Sequence, residues 1–82
     1  MRLRPPVREA LLRHGVEASE ADTPADLRER LNDRYLEEVR RLKARRRAGE
    51  IAPRDYAGHA QALKEGYPLL GLPLPEWAEP EG

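Results

Sequence analysis

The sequence predicts an all-α fold: a short N-terminal helix, a long central helix, an antiparallel return helix that makes a helical hairpin with it, and an extended Pro-rich C-terminal tail packed back. Three observations carry this. Residues 23–49, TPADLRERLNDRYLEEVRRLKARRRAG, combine a helix start signal, an apolar stripe at helical spacing and a stop signal. The stretches on either side repeat a helical period between Pro and Gly boundaries. The tail, PLLGLPLPEWAEPEG, is too apolar to hang free in water yet too rich in proline for a helix.

Taken in order, residues 1–6 are not helical throughout, because Pro6 disfavours the α conformation at Pro5. Pro6 itself suits a first helical turn. Val7, Ala10 and Leu11 share one face with Leu12 beside them, and Gly15 is a left-handed stop, so a short helix is expected over 6–14. His14 falls in its last turn, where the helix dipole favours a cation. GVEASEAD is a loop whose Val16 is expected to plug into the core.

Thr23 is a good N-cap, Pro24 fits the first helical position, and Asp26 completes a capping-box pattern. Leu27, Leu31, Tyr35, Val39 and Leu42 follow at intervals of four, four, four and three, with Leu36 widening the stripe, so a helix is expected over 24–48. Asp26–Arg30 and Glu37–Arg41 stand in the favourable i,i+4 order on its charged face. Gly49 closes the helix.

Pro53 opens the return helix, expected over 53–67. Ile51 and Tyr56 stand at the positions of a hydrophobic staple. Tyr56, Ala60, Leu63 and Tyr67 give it a heptad-like face, and Pro68 ends it. The core is expected to hold Val7, Leu11, Val16, Leu27, Leu31, Tyr35, Val39, Leu42, Ile51, Tyr56, Leu63, Tyr67, Leu70 and Trp77. Residues 1–77 are read as one small helical domain and 78–82 as a frayed acidic end.

Composition narrows the function classes. A chain of 82 residues without cysteine has neither disulfides nor thiolate zinc to hold it, which leaves helix packing or association as routes to stability. The net charge is zero, but residues 1–49 carry 13 Arg/Lys against 9 Asp/Glu, and residues 50–82 carry 2 against 6. The halves are complementary in sign, a pattern that suits protein contact at least as well as nucleic acid. Arginine dominates the cations, a thermophile-like usage. No apolar run reaches the length of a membrane span, and MRLRPPVREALL lacks the apolar core of a signal peptide, so a cytoplasmic location is expected.

The search for chemistry returns little. Ser19 is the one serine, Thr23 is already a cap, and His14 and His59 lie on different predicted helices without metal-ligand spacing. Asp55 and His59 are four apart, an ordinary helix-surface pair. The glycines form no phosphate loop. No catalytic, cofactor-binding or metal residues and no small-molecule ligand are assigned, and an enzyme is not expected. Two surface features remain. Arg40, Arg41, Lys43, Arg45, Arg46 and Arg47 put six cations into eight residues without an acid, a candidate contact for nucleic acid or an acidic partner and equally a solvated helix end. Leu69, Leu70, Leu72, Leu74 and Trp77 either complete a small core or form a protein interface.

Two resemblances bear on this. Leu42, Gly49, Ile51, Asp55, Tyr56 and Leu63 resemble the signature of SHOCT, a short helical hairpin; Ala52 stands where that signature has Thr and Ala60 where it has Lys. Residues 39–63 carry the resemblance, which implies an oligomerisation or interaction module, usually attached to other domains. Val7, Leu11, Gly15 and Val16, followed by Leu27, Arg30 and Leu31, look like a SAP-type nucleic-acid-binding helix–loop–helix, although Asp22, Thr23 and Pro24 replace its usual Gly-x-Lys. The expectation is a small non-enzymatic protein-interaction module that self-associates; the alternative is a nucleic-acid-binding accessory protein using the basic end of the central helix.

Overall fold

Local capping sets the helix limits in the computed structural model, which describes residues 2–80. Helix α1 spans Pro5–Arg13, α2 Pro24–Arg47 and α3 Pro53–Glu65. The chain is therefore mostly helical, an all-α protein. Thr23 and Asp26 cap α2 reciprocally: the Asp26 amide donates to Thr23 Oγ1 at 3.2 Å, and the Thr23 amide to Asp26 Oδ2 at 3.0 Å. Just upstream, Arg30 grips Asp22 with both terminal nitrogens, and the Ser19 amide donates to the same carboxylate at 2.9 Å. The Arg30 and Ser19 hydrogen bonds hold the Asp22 carboxyl at about 2.

Helices α1 and α2 end in the same way. The Val16 amide reaches back to the Leu11 carbonyl at 2.9 Å and the Glu50 amide to the Arg45 carbonyl at 2.9 Å. Each motif needs a left-handed residue, supplied by Gly15 (φ 73°) and Gly49 (φ 79°). In the first, Val16 and Leu11 are both buried, the usual apolar accompaniment of this turn. In the second an ion pair, Arg45 Nε to Glu50 Oε2 at 3.4 Å, stands in that place.

Four boundaries differ from expectation. Helix α1 runs one residue early at both ends, from Pro5 to Arg13 rather than 6 to 14, within the scatter of helix ends. Helix α2 stops at Arg47, one residue short. Helix α3 stops at Glu65 rather than 67, because Pro68 forces Tyr67 out of the helical region, to φ −124° and ψ 57°. The tail is also not extended throughout. It coils into two 3₁₀ turns, Pro68–Gly71 and Leu74–Glu76, before an isolated antiparallel bridge pairs Ala78 with Leu3. The Arg4 amide donates to the Trp77 carbonyl at 3.1 Å and the Glu79 amide to the Arg2 carbonyl at 2.9 Å, which pairs the backbone on either side of Ala78 with the N-terminal stretch. Glu81 and Gly82, the end of the expected fray, lie outside the described residues.

The main core gathers Leu3, Val7, Leu11, Val16, Leu27, Leu31, Tyr67, Leu69 and Trp77. Trp77 is fully buried and donates from Nε1 to the Leu72 carbonyl at 2.9 Å. Leu3 and Leu69 are core residues that periodicity did not single out, while Tyr35, Val39, Tyr56, Leu63 and Leu70 are only half-buried. Leu42 and Ile51 are buried apart from that cluster, toward the far end of α2. There α2 packs against α3, and contacts run in opposite directions along α2 and the segment 53–67: Glu38 meets Tyr67 while Arg46 meets Tyr56. The molecule is thus a packed body with a two-helix arm, 53 × 18 × 16 Å. Among the described residues no helix is long and apolar enough to cross a membrane.

Because Trp77 is fully buried in the core that the tail shares with the N-terminal stretch and α2, Trp77→Ala should cost roughly 3–5 kcal/mol. In a domain this small that lowers Tm by more than about 12 °C, measurable by thermal unfolding followed by circular dichroism.

Candidate interaction surface of the central helix

Helix α2 has an inner and an outer side because its apolar residues recur along one face. Leu27, Leu31 and Leu42 turn inward, with Tyr35 and Val39 half-covered between them. The six basic residues named from the sequence all lie on the exposed surface of the arm. They do not act as one patch. Arg41 Nη2 binds Glu37 Oε1 at 2.9 Å one turn back, Arg45 binds Glu50, and the Arg46 guanidinium sits 4.5 Å over the Tyr56 ring. Among the described residues, Arg40, Lys43 and Arg47 have no ion-pair partner. They are spaced three and four apart, which places them on one face.

The apolar tail is used differently. Trp77 and Leu69 are buried in the chain's own core, and Leu70, Leu72 and Leu74 pack against it half-buried. Leu70 and Leu74 still border an open groove with Ala25, Arg28, Glu29 and Asn32.

A junction absent from the sequence reading fixes where the arm leaves the body. His14 stacks on Tyr67 with ring centroids 3.9 Å apart, and Tyr35 meets the same ring edge-on at 5.2 Å. His14 Nε2 donates to the Gly66 carbonyl at 2.8 Å, and the Tyr67 hydroxyl donates to Glu38. The adjoining cavity, lined by Ala10, His14, Leu31, Tyr67 and Leu69 among others, holds about 30 Å³, far below the size of a substrate pocket. Among the described residues no group of three or more His, Asp or Glu side chains comes together as a metal site would require. Only tertiary structure shows this junction: His14 and Gly66 are 52 residues apart, and no local pattern links them.

Burial first, and the Glu38 acceptor second, push the Tyr67 hydroxyl up to about 12. A group raised above its unfolded value of about 10 stabilises the fold fully below that pH and ceases to as pH climbs through the folded value. Stability should therefore decline between about pH 10 and 12, and Tyr67→Phe should flatten that decline in urea unfolding curves across the range.

Compared with family models, with curated proteins and with solved structures, the chain finds no match.

Proposed function

We propose that this protein is a small non-enzymatic interaction module that associates with a second copy of itself. The observation that carries the reading is its shape. A compact chain of this length has a radius of gyration of about 12 Å, against 15.2 Å here. Its exposed area is 5991 Å², where a compact monomer of this mass exposes about 5,000 Å². The surplus surface belongs to the arm, a two-helix extension beyond the main core. In the body the inner stripe of α2 is covered by α1, the tail and the N-terminal stretch, so uncovered apolar area there is not what draws a second copy. The support comes from the outer surface of α2, where charges without partners lie exposed. The SHOCT-like residues 39–63, in the outer part of the molecule, point to the same class of function.

Sedimentation velocity at low ionic strength should show a sedimentation coefficient that rises with protein concentration into the hundreds of micromolar. A single monomeric species throughout that range overturns the reading.

One observation favours a second reading, contact with nucleic acid. Among the described residues, Arg40, Lys43 and Arg47 have no ion-pair partner, and Arg54 extends the positive surface across the turn, where Glu50 is the one acid among residues 40–54. On this reading Arg40→Ala, Lys43→Ala and Arg47→Ala together weaken salt-dependent binding to single- or double-stranded DNA or RNA, read by fluorescence anisotropy; no binding by the unaltered chain at low salt dismisses it.

A further inference from the structure

Opposite its buried stripe, α2 carries a second row. Glu29, Asp33, Leu36, Arg40, Lys43 and Arg47 recur at spacings of four, three, four, three and four. Such a row follows one face of a helix, and at 3.6 residues per turn its members fall within about 80° of arc. All six are exposed. Among the described residues, Leu12 and Leu36 are the large apolar side chains left in solvent, at 52 % and 40 % exposure. None of the row's five charged residues has an ion-pair partner among the described residues, whereas Arg30, Arg41 and Arg45, off this row, all do.

The order of signs along the row is what matters. It reads acid, acid, leucine, base, base, base from the N-terminal end. Read backwards about Leu36, it sets Glu29 and Asp33 against Lys43 and Arg40, with Arg47 left beyond the pairing. A second copy laid antiparallel brings the acids of each chain to the cations of the other, while a parallel copy sets like charge against like. We infer that α2 docks antiparallel on α2 of a second copy, along this outer row, about a two-fold axis close to Leu36. In that register the two Leu36 side chains meet, Glu29 faces Lys43 of the second copy, and Asp33 lies beside Arg40 of the second copy. This rests on the self-association reading and names its surface. Exposed ion pairs contribute little each, so the dimer is weak and salt-sensitive, and the charges act mainly to fix orientation.

The test uses the full chain with surface charges exchanged. Circular dichroism first establishes that each variant keeps the helical content of the unaltered protein. E29K/D33K and R40E/K43E each place like charges against like in the antiparallel pair, and should weaken dimerisation by more than about tenfold in sedimentation equilibrium at low salt. The quadruple variant E29K/D33K/R40E/K43E inverts both ends and should recover it. The chain has no cysteine, so Leu36→Cys gives a single thiol, which should oxidise to a disulfide-linked dimer faster than Leu12→Cys does. If the unaltered chain stays monomeric, the association reading and this inference fall together. If it dimerises but the double variants do so equally well, association stands and this surface is wrong. If both doubles lose the dimer and the quadruple variant fails to regain it, or if Leu36→Cys links no faster than Leu12→Cys, the antiparallel arrangement is wrong.

Discussion

The burial of Trp77 is the contact on which the rest of the fold depends. Without cysteine, an 82-residue chain must draw its stability from packing, and a fully buried tryptophan is the largest single contribution available to it. Its position explains the tail. To bring the indole into the core, the chain must turn twice after α3, and Pro68, Pro73 and Pro75 suit 3₁₀ turns where an α-helix would break. The turns bring the Leu72 carbonyl to the indole N–H, so the buried donor is satisfied. The bridge between Leu3 and Ala78 then ties both ends of the chain into the same body. An apolar tail that looks like a docking strip in one dimension becomes largely core in three.

The same packing decides what is left over. The body occupies the first half of α2, and a helix of 24 residues runs about 36 Å, so its second half continues past the body with α3 beside it. Helix α3 cannot bury much. It holds no buried residue, its apolar positions are largely alanine, and its cap residue, Ala52, makes no side-chain bond. The arm is held instead by a few specific features: the burial of Leu42 and of Ile51, Arg46 over Tyr56, and Tyr67 bonded to Glu38 at the base. The base is the most constrained part, because Tyr67 meets α1 through His14 and α2 through Tyr35 at once.

What could be read from sequence follows from how local each signal is. Thr23 with Asp26, Gly15 and Gly49 act within a few residues, and their effects were legible to within a residue. Leu27 and Leu31 were legible because a helical period places them against whatever body forms. Val39 and Tyr56 obey the same period but are only half-buried, since a two-helix arm has too few neighbours to enclose them. Leu3 and Leu69 belong to no periodic segment, so nothing short of the tertiary fold marks them as core. The basic run is the most instructive case. Read as consecutive residues it is one cluster of six cations, but the helix distributes it: Arg41, Arg45 and Arg46 go to neighbours in the same chain, and Arg40, Lys43 and Arg47 face outward.

That distribution links the fold to the proposed function. A helix buried on one side by a small body has an outer side that packing does not specify, and residues there are free to answer to other demands. On α2 they are not arranged at random with respect to the helix. Both acids precede Leu36 and all three cations follow it along a single row, in the direction that lowers the energy of a helix dipole as well as of an antiparallel partner. The dipole accounts well for Arg47 in the last turn and poorly for Asp33 and Arg40, which lie about two turns or more from either end, where the terminal partial charges have faded. For these mid-helix residues a second helix running the opposite way supplies the missing counter-charges.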